Sequence, residues 1–335
     1  MRILVTGGAG YVGSVTVEAL QEAGHDVVVL DDLSTGHRAA VVEGIALEIG
    51  SYGDPEALAR LLGERGIEAV LHCAAKSQVP ESVADPAKYY RENVAGGVVL
   101  LEGLRLAGVR RIVFSSTAAV YGAPERTPIT EDQTPAPISP YGETKRTFEE
   151  ALRWYGGAYG LRSVIFRYFN VAGASRRNGE DHEPETHLIP NVLAAAQSDG
   201  ELTLFGDDFP TPDGTCIRDY IHVQDLAQAH LLGLEATQAG DERTGPPDGP
   251  CTPLLFNLGN GSGFSNREVL SMAERVTGRS IRRRVGPRRP GDPAILIASA
   301  ERARKELGWR PSHDSLEEMI GSAWEWRLAN PNGYA

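Results

Sequence analysis

Cysteine is scarce in this chain: Cys73, Cys216 and Cys251 are the only three in 335 residues. An odd count without metal-type spacing argues against a disulfide framework and a thiolate metal centre, and suits a reducing cytoplasm. Positive charge is in deficit too. Lys and Arg number 33 against 45 Asp and Glu, a formal net charge of −12. The chain as a whole is therefore not expected to bind nucleic acid or an anionic membrane. No apolar run approaches the ~18 residues of a membrane span. Met1 and Arg2 lead straight into Ile3, Leu4 and Val5, too short for the apolar part of a secretory leader. The expected location is the cytoplasm, and no internal repeat is visible. What is present is a 41% hydrophobic composition, enough for sizeable cores, at a length that suits one large or two small domains.

Residues 2–6 read as a buried strand, 14–23 as a helix and 27–30 as a second buried strand that ends at Asp31. Between the first strand and the helix, Gly7, Gly10 and Gly13 recur every third residue. Glycines there allow a tight turn and close approach of a ligand's phosphates, and the helix N-terminus offers free N–H groups to them. An acid closing the second strand can accept from ribose hydroxyls and would repel a 2′-phosphate, which favours NAD over NADP. The ordinary alternative is a tight turn that binds nothing.

Further strand–helix units follow: strands at 45–49, 69–73, 111–115 and 164–168, and helical patterns at 55–65 and 81–107. Such alternation predicts an α/β fold, a Rossmann-type doubly wound parallel sheet with ligands beyond the carboxyl ends of its strands. Thr117 falls at such an end and can bond a substrate hydroxyl, or be a plain turn residue. In Ser139-Pro140-Tyr141-Gly142-Glu143-Thr144-Lys145, a helix would bring Tyr141 and Lys145 onto one face. A phenol of pKa near ~10 is a poor base at neutral pH until a neighbouring ammonium stabilises its phenolate. The pair can then take a proton from a hydroxyl as hydride leaves the same carbon. The alternative is an exposed helical pair of no consequence.

The regular alternation breaks after about residue 171. Helical patterns are expected at 188–197, 223–237, 265–277, 300–307 and 314–328, and short strands at 202–205, 217–222, 254–258, 281–285 and 294–298. Together they suggest a smaller mixed α/β domain. Glu180, Asp181, His182, Glu183, Glu185 and His187 match no usual metal-ligand spacing and read as a solvated loop, so no metal is expected. Arg282, Arg283, Arg284, Arg288 and Arg289 form a basic cluster, either an exposed strand face or an anion site for a diphosphate.

Nearly end to end, these residues resemble the extended short-chain dehydrogenase/reductase family. The resemblance rests on Thr6 to Gly13, Asp31 to Arg38, Phe114 to Gly122, the 139–145 stretch, Arg167 to Asn170 and, most specifically, Thr211 to Val223. It implies an NAD-binding domain over 1–170 and a UDP-sugar-binding domain over 171–335, with the chain crossing between them if need be. It also implies a tightly held NAD. The NAD-site positions would be Gly7, Gly10, Tyr11, Val12, Gly13, Asp31, Leu33, Ser34, Thr35, Gly36, Ser51, Tyr52, Cys73, Ala74, Ala75, Ser77, Asn93, Ser115, Tyr141, Lys145, Tyr168 and Phe169. The expected reaction is inversion at C4 of a UDP-hexose, UDP-glucose and UDP-galactose being the expected pair. Tyr141 would deprotonate the 4-hydroxyl, Lys145 would lower its pKa, Thr117 would hold the 4-oxygen, and hydride would leave C4. The 4-keto sugar would swing about its diphosphate, and hydride would return to the other face. Arg218 and Arg289 would grip the diphosphate, Phe205 and Asp292 the uridine, and Asn170, His187, Leu188 and Leu296 would complete the substrate contacts. The family's pairing mode implies a homodimer through helices at 81–107 and 142–155.

The chain departs from the family pattern in places. Ser51 stands where an acid often reads adenine, Ser77 where some members carry Lys (Lys76 is one position early), and Leu296 where glucose-specific members can carry Tyr. Dehydratases and decarboxylating relatives place an acid just after the Ser or Thr of the active site. Here Ala118 and Ala119 stand there and can give no proton, which favours simple oxidation and re-reduction. The alternatives left open are UDP-N-acetylglucosamine or UDP-glucuronate as the epimerised sugar, and a non-catalytic NAD-binding regulator.

Overall fold

The alternation of buried strands and helices is realised as a seven-stranded parallel sheet with helices on both faces. The structure is a computed structural model that describes every residue except 199, 242, 247, 248, 290, 291 and 335. Strand β1 (Arg2–Thr6) buries its last four residues. Successive side chains point to opposite faces, so such a run needs cover on both. Ile3 and Val5 enter one hydrophobic cluster and Leu4 another; in β2 (Asp26–Asp31), Val27 and Val29 join the first, Val28 and Leu30 the second. Helix α1 (Tyr11–Glu22) covers the first face. After β3 (Ala46–Ile49) comes α2 (Pro55–Arg65), which covers the second. The α2 boundaries are set locally: Asp54 accepts from the N–H groups of Glu56 and Ala57, Pro55 opens the helix, and left-handed Gly66 closes it.

Beyond β4 (Ala69–His72), the 81–107 stretch is not one helix. It is split into α3 (Val79–Ala84), α4 (Pro86–Tyr89), a π-helical turn over Tyr90–Ala95 and α5 (Gly96–Ala107). Pro86 has no N–H to continue α3, and Asp85 instead caps α4 by accepting from Lys88 N–H at 3.1 Å. The π turn buries Asn93, whose amide clamps the Lys76 backbone, accepting from its N–H at 2.8 Å and donating to its carbonyl at 2.9 Å. A helical period alone carries no sign of that staple.

Next come β5 (Arg111–Thr117), α6 (Pro140–Tyr159) and β6 (Arg162–Tyr168). The second half contributes β7 (Asn170–Ala172), α7 (Leu188–Ser198), β8 (Glu201–Phe205), β9 (Ile217–Arg218), β10 (Tyr220–His222), α8 (Val223–Ala236), β11 (Leu254–Leu258), β12 (Phe264–Ser265), α9 (Asn266–Thr277), β13 (Arg282–Gly286), β14 (Ile295–Leu296) and α10 (Leu316–Ala329). The expected strand at 217–222 is interrupted by fully buried Asp219, whose carboxylate accepts from the N–H groups of Asn260, Gly261 and Ala298. The pattern at 300–307 ends in a π-helical turn over Ala303–Leu307.

In the large sheet the order is β3-β2-β1-β4-β5-β6-β11, every pair parallel. Residues up to 170 supply six of its strands. The seventh, β11, comes from the second half and pairs with β6 from Leu254↔Val164 to Leu258↔Tyr168. Helix α8 returns with it, packing Leu226, Ala229 and Leu234 into the α1 face. The remaining strands form small two- and three-stranded sheets. They lie beside a separate core built from α7, α9, α10 and β8, around Val192, Leu204, Val269, Met319 and Ile320. The strand order changes direction between β1 and β4, and a crevice opens there at the carboxyl ends. Among the described residues no helix is long and apolar enough to cross a membrane.

Candidate active site

A cavity of about 850 Å³ occupies that crevice, walled by residues from both halves of the chain. On its floor lies the glycine turn. Gly7 has φ +72°, and a Cβ on it would sit 2.6 Å from Ala74 N; a Cβ on Gly13 would sit 2.0 Å from the Gly7 carbonyl oxygen. Side chains at these positions would collide with the backbone that shapes the turn. The N-cap of α1 is Gly10, with no side-chain cap, so the first-turn N–H groups beside it remain available to a ligand. The cradle thus fits a dinucleotide diphosphate. Asp31 closes β2 at the cavity wall. Burial raises its pKa, opposed by the N–H groups of Ala9 and Leu33, each 2.9 Å from one carboxylate oxygen. Remaining lone pairs can accept from ribose hydroxyls.

Ser34, Thr35, Gly36, Ser51, Tyr52, Cys73, Ala74, Ala75 and Ser77 border the same cavity, together with Tyr11, Val12, Tyr168 and Phe169. Leu33 does not; it turns the chain with φ +56°. Lys76 lines the cavity beside Ser77, its Nζ 2.5 Å from Ser34 Oγ and 3.8 Å from Asp32 Oδ2. Asn93 is the Lys76 staple rather than a wall residue, and Ser115 stands one contact back, its Oγ 2.9 Å from His230 Nε2 and donating to Cys73 Sγ at 3.4 Å.

Tyr141 and Lys145 are both buried, which removes the exposed-pair alternative. Their helix starts where the sequence puts it: Ser139 Oγ accepts from Gly142 N–H at 3.2 Å and Pro140 takes the first position. Thr117, at the end of β5, lies beside the Tyr141 phenol and accepts from Ala119 N–H at 3.1 Å. Lys145 Nζ donates to the Ser115 carbonyl at 2.8 Å and lies 4.8 Å over the Phe114 ring. Burial pushes the Tyr141 phenol up to about 12, against the lowering influence of the nearby Thr117 hydroxyl. Burial brings Lys145 down to about 8, against the negative potential of Cys73 and Glu149. The arrangement can move a proton between the phenol and a hydroxyl placed beside Thr117, once further positive charge favours the phenolate.

The other half of the cavity carries Asn170, His187, Arg289, Asp292 and Leu296. Arg218 and Phe205 stand one contact back. Arg218 Nη2 donates to Asp292 Oδ1 at 3.1 Å, and the Arg289 guanidinium lies 4.2 Å over the Phe205 ring. Leu188 opens α7 and packs on the C-terminal core. Of the basic cluster, Arg289 alone reaches the cavity among the described residues; Arg283 and Arg284 lie on exposed β13 near Glu274 and Glu201, and Arg288 pairs with Asp208. Pro290 and Gly291 lie outside the described residues.

Glu180, His182, Glu185 and His187 converge within their loop, His187 remaining exposed and the other three half-buried. Their ligand-type atoms all lie within 4.8 Å of one another. His187 Nδ1 is 2.7 Å from Glu180 and 3.0 Å from Glu185, and His182 Nδ1 is 3.3 Å and 3.7 Å from the same pair. Burial opposes a charged His182, but the two carboxylates outweigh it and raise the imidazole to about 9. Glu180 likewise leads in raising His187. Two imidazolium and two carboxylate charges close on each other, and Glu180, His182 and His187 present this quartet to the cavity. A ligand-spacing rule could not find it, because the convergence comes from how the loop folds.

A model of the NAD dependent epimerase/dehydratase family matches residues 3–245. The UDP-glucose 4-epimerase of Lacticaseibacillus casei is 47% identical over 337 residues, 100% of this chain and 99% of that protein. A crystal structure of a UDP-glucose 4-epimerase superposes with a TM-score of 0.94 at 46% identity, covering 100% of both chains. That of the Bifidobacterium longum UDP-glucose 4-epimerase, in complex with NAD+ and UDP, superposes with a TM-score of 0.92 at 35% identity, over 99% of this chain and 100% of that one.

The buried ammonium makes a stability prediction. Lys145 titrates at about 8 in the fold, against ~10.4 in an unfolded chain. The depressed folded value means that burying the charge costs stability below pH 8, a cost that fades as pH rises towards ~10.4. Lys145→Met should therefore raise the unfolding free energy of ligand-free protein at pH 7 by about 1–3 kcal/mol, with no gain near pH ~10.5. Urea unfolding at the two pH values checks this.

Proposed function

The chain belongs to the NAD dependent epimerase/dehydratase family, and from that premise we propose that it is an isomerase that inverts C4 of UDP-hexoses, interconverting UDP-glucose and UDP-galactose with NAD held in the cavity. The observation that carries this reading is the burial of Thr117, Tyr141 and Lys145 together at the mouth of the glycine cradle, with Ala118 and Ala119 beside them. NAD, when bound, supplies a reversible hydride acceptor. The glycine turn and the α1 N-terminus hold its diphosphate, and Asp31 accepts from its adenosine ribose. At Tyr141 Oη the proton of the 4-hydroxyl is taken and later given back, with the Thr117 hydroxyl fixing the sugar oxygen. Lys145 supplies the positive charge that favours the phenolate. Neither alanine has a proton to give, so no leaving group is expelled. Arg289, braced by Phe205, and Arg218, through Asp292, anchor the UDP while the sugar turns.

One wall residue bears on substrate breadth. Leu296 borders the cavity and has no polar atoms in its side chain, so it leaves room beside C2 of the sugar that a Tyr would occupy. On this reading UDP-N-acetylglucosamine is a second substrate, its acetamido group met by water. The protein is proposed to work as a homodimer, supported by Val98 and Leu106 of α5 and Trp154 and Tyr159 of α6, large apolar side chains left exposed on neighbouring helices. Three free cysteines suit a cytoplasmic enzyme.

Purified protein should convert UDP-galactose to UDP-glucose with no NAD added, and Tyr141→Phe should lower turnover by about two to four orders of magnitude while keeping bound NAD. Near-normal turnover in that variant would remove Tyr141 from its role. In competition assays the natural protein should epimerise UDP-N-acetylglucosamine measurably, and Leu296→Tyr should suppress that activity more than the UDP-galactose activity; equal loss of both would place the selectivity elsewhere. Light scattering at micromolar protein should give twice the chain mass, and a monomer would refute the pairing.

A further inference from the structure

Three consecutive residues at the end of β5 each face a different member of one stripe on α6. Tyr141, Lys145 and Glu149 are spaced by four and share a face of the helix. The Thr117 hydroxyl meets Tyr141, the Ser115 carbonyl accepts from Lys145 at 2.8 Å, and Ser116 Oγ donates to Glu149 Oε1 at 2.5 Å. Glu149 and Ser116 border no part of the cavity.

Glu149 is only 7% exposed, and a carboxylate is that deeply buried only when it is paired. Its partner is Arg167 of β6, 4% exposed, which donates Nε to Oε1 at 3.0 Å and Nη2 to Oε2 at 2.5 Å. This two-point fork fixes the carboxylate in orientation as well as position. Across the β5–β6 ladder, Arg167 stands directly opposite Ser116, so the carboxylate ties two adjacent strands to the helix. Arg167 is itself held, 4.8 Å over the Tyr121 ring, and Tyr121 donates its hydroxyl to Asn257 of β11 at 2.7 Å.

Ser116 sits between the two strand groups that the chemistry uses. The peptide on its N-terminal side carries the carbonyl that receives Lys145, and the residue on its C-terminal side carries the Thr117 hydroxyl. We propose that Glu149 is a positioning residue: held by Arg167, it grips the Ser116 hydroxyl and so sets where the end of β5 presents the Ser115 carbonyl to Lys145 and the Thr117 hydroxyl to Tyr141. An apolar pair of the same volume could serve stability as well as this ion pair does, but could offer Ser116 no directed hydrogen bond. The assignment rests on the reading of Tyr141 as the proton acceptor.

The discriminating variant is Ser116→Ala in the NAD-loaded enzyme, since it cuts the link and leaves the Glu149–Arg167 fork in place. The expected result is a kcat for UDP-galactose lowered roughly ten- to hundredfold, the scale of a misplaced reacting group, with KM, bound NAD and melting temperature close to the parent. The nearby Thr117 hydroxyl lowers the Tyr141 pKa, so displacing it should move the acid limb of the kcat–pH profile upward. Glu149→Gln should do the same if it folds, and the Ser116 variant decides the matter if it does not. Parent-like kcat and pH profile in Ser116→Ala overturn the proposal, as does a kcat that falls only with melting temperature and bound NAD, the mark of a purely structural role. Tyr141→Phe separates the two readings: should it remain active, the proton-acceptor assignment fails; should it be inactive beside a parent-like Ser116→Ala, only the positioning assignment fails.

Discussion

An ammonium buried at the carboxyl end of a parallel sheet is the constraint around which the site is arranged. Lys145 has lost its water, and burial has moved its pKa down. What keeps it there is a set of groups that only a correct fold brings together: the Ser115 carbonyl, the face of the Phe114 ring and the field of Glu149 one turn further along the helix. Each belongs to β5 or α6. The start of α6, fixed by the Ser139 cap and Pro140, decides which residues of the helix face that strand end. A start one residue away would rotate the stripe by about 100° and leave the ammonium without partners. Such a site costs stability and persists because the surrounding sheet is stable enough to carry it.

The sheet carries it only because the chain comes back. Strand β11 pairs with β6 from Val164 to Tyr168, and Asn257 on it accepts from Tyr121 and donates to the Ile129 carbonyl at 2.9 Å. Those contacts fix the segment just after Thr117 from behind. In a fold cut at residue 170, β6 would be an edge strand and Tyr121 would lose its partner. The second half therefore supplies one wall of the cavity and also the backing of the first half's reactive strand end.

Much of this was legible in the sequence. The glycine spacing, the acid ending β2 and the Tyr141–Lys145 interval are local features, each fixed by one turn of backbone, and the structure gathers them around one cavity. Features that depend on distant segments were not legible. The 254–258 run has the same pattern whether it joins the large sheet or a small one, so its return to β6 could not be deduced. Periodicity gave helix for 81–107 but not the breaks, because Asn93 is called inward by the Lys76 backbone rather than by an apolar stripe. The His–Glu quartet was read as solvated because metal-ligand rules count residues along a chain, whereas its charges pair across a folded loop. Lys76 was discounted in favour of Ser77 on register alone, yet a long flexible side chain absorbs a one-residue displacement and reaches Ser34.

The distribution of polarity around the cavity bears on how a sugar could turn within it. An inverting hydride transfer needs the same carbon presented by either face, so the ring must be released by the groups that held it without the nucleotide leaving. Directed hydrogen bonds resist such release, and apolar walls do not. Beside Thr117 the wall is made by Ala118, Phe169 and Leu296, members of one small hydrophobic cluster with Val120, Ile129 and Ala298 behind them. Polar anchoring lies elsewhere, in Arg289 against Phe205 and in Asp292 tied to Arg218. Even the His–Glu quartet, the most charged patch on the wall, is closed on itself and has little net field to hold a sugar hydroxyl. On the proposed reading, then, specificity for the nucleotide and looseness toward the sugar are one feature of the cavity: charge is concentrated where the UDP is gripped and withdrawn from the place where the ring must move.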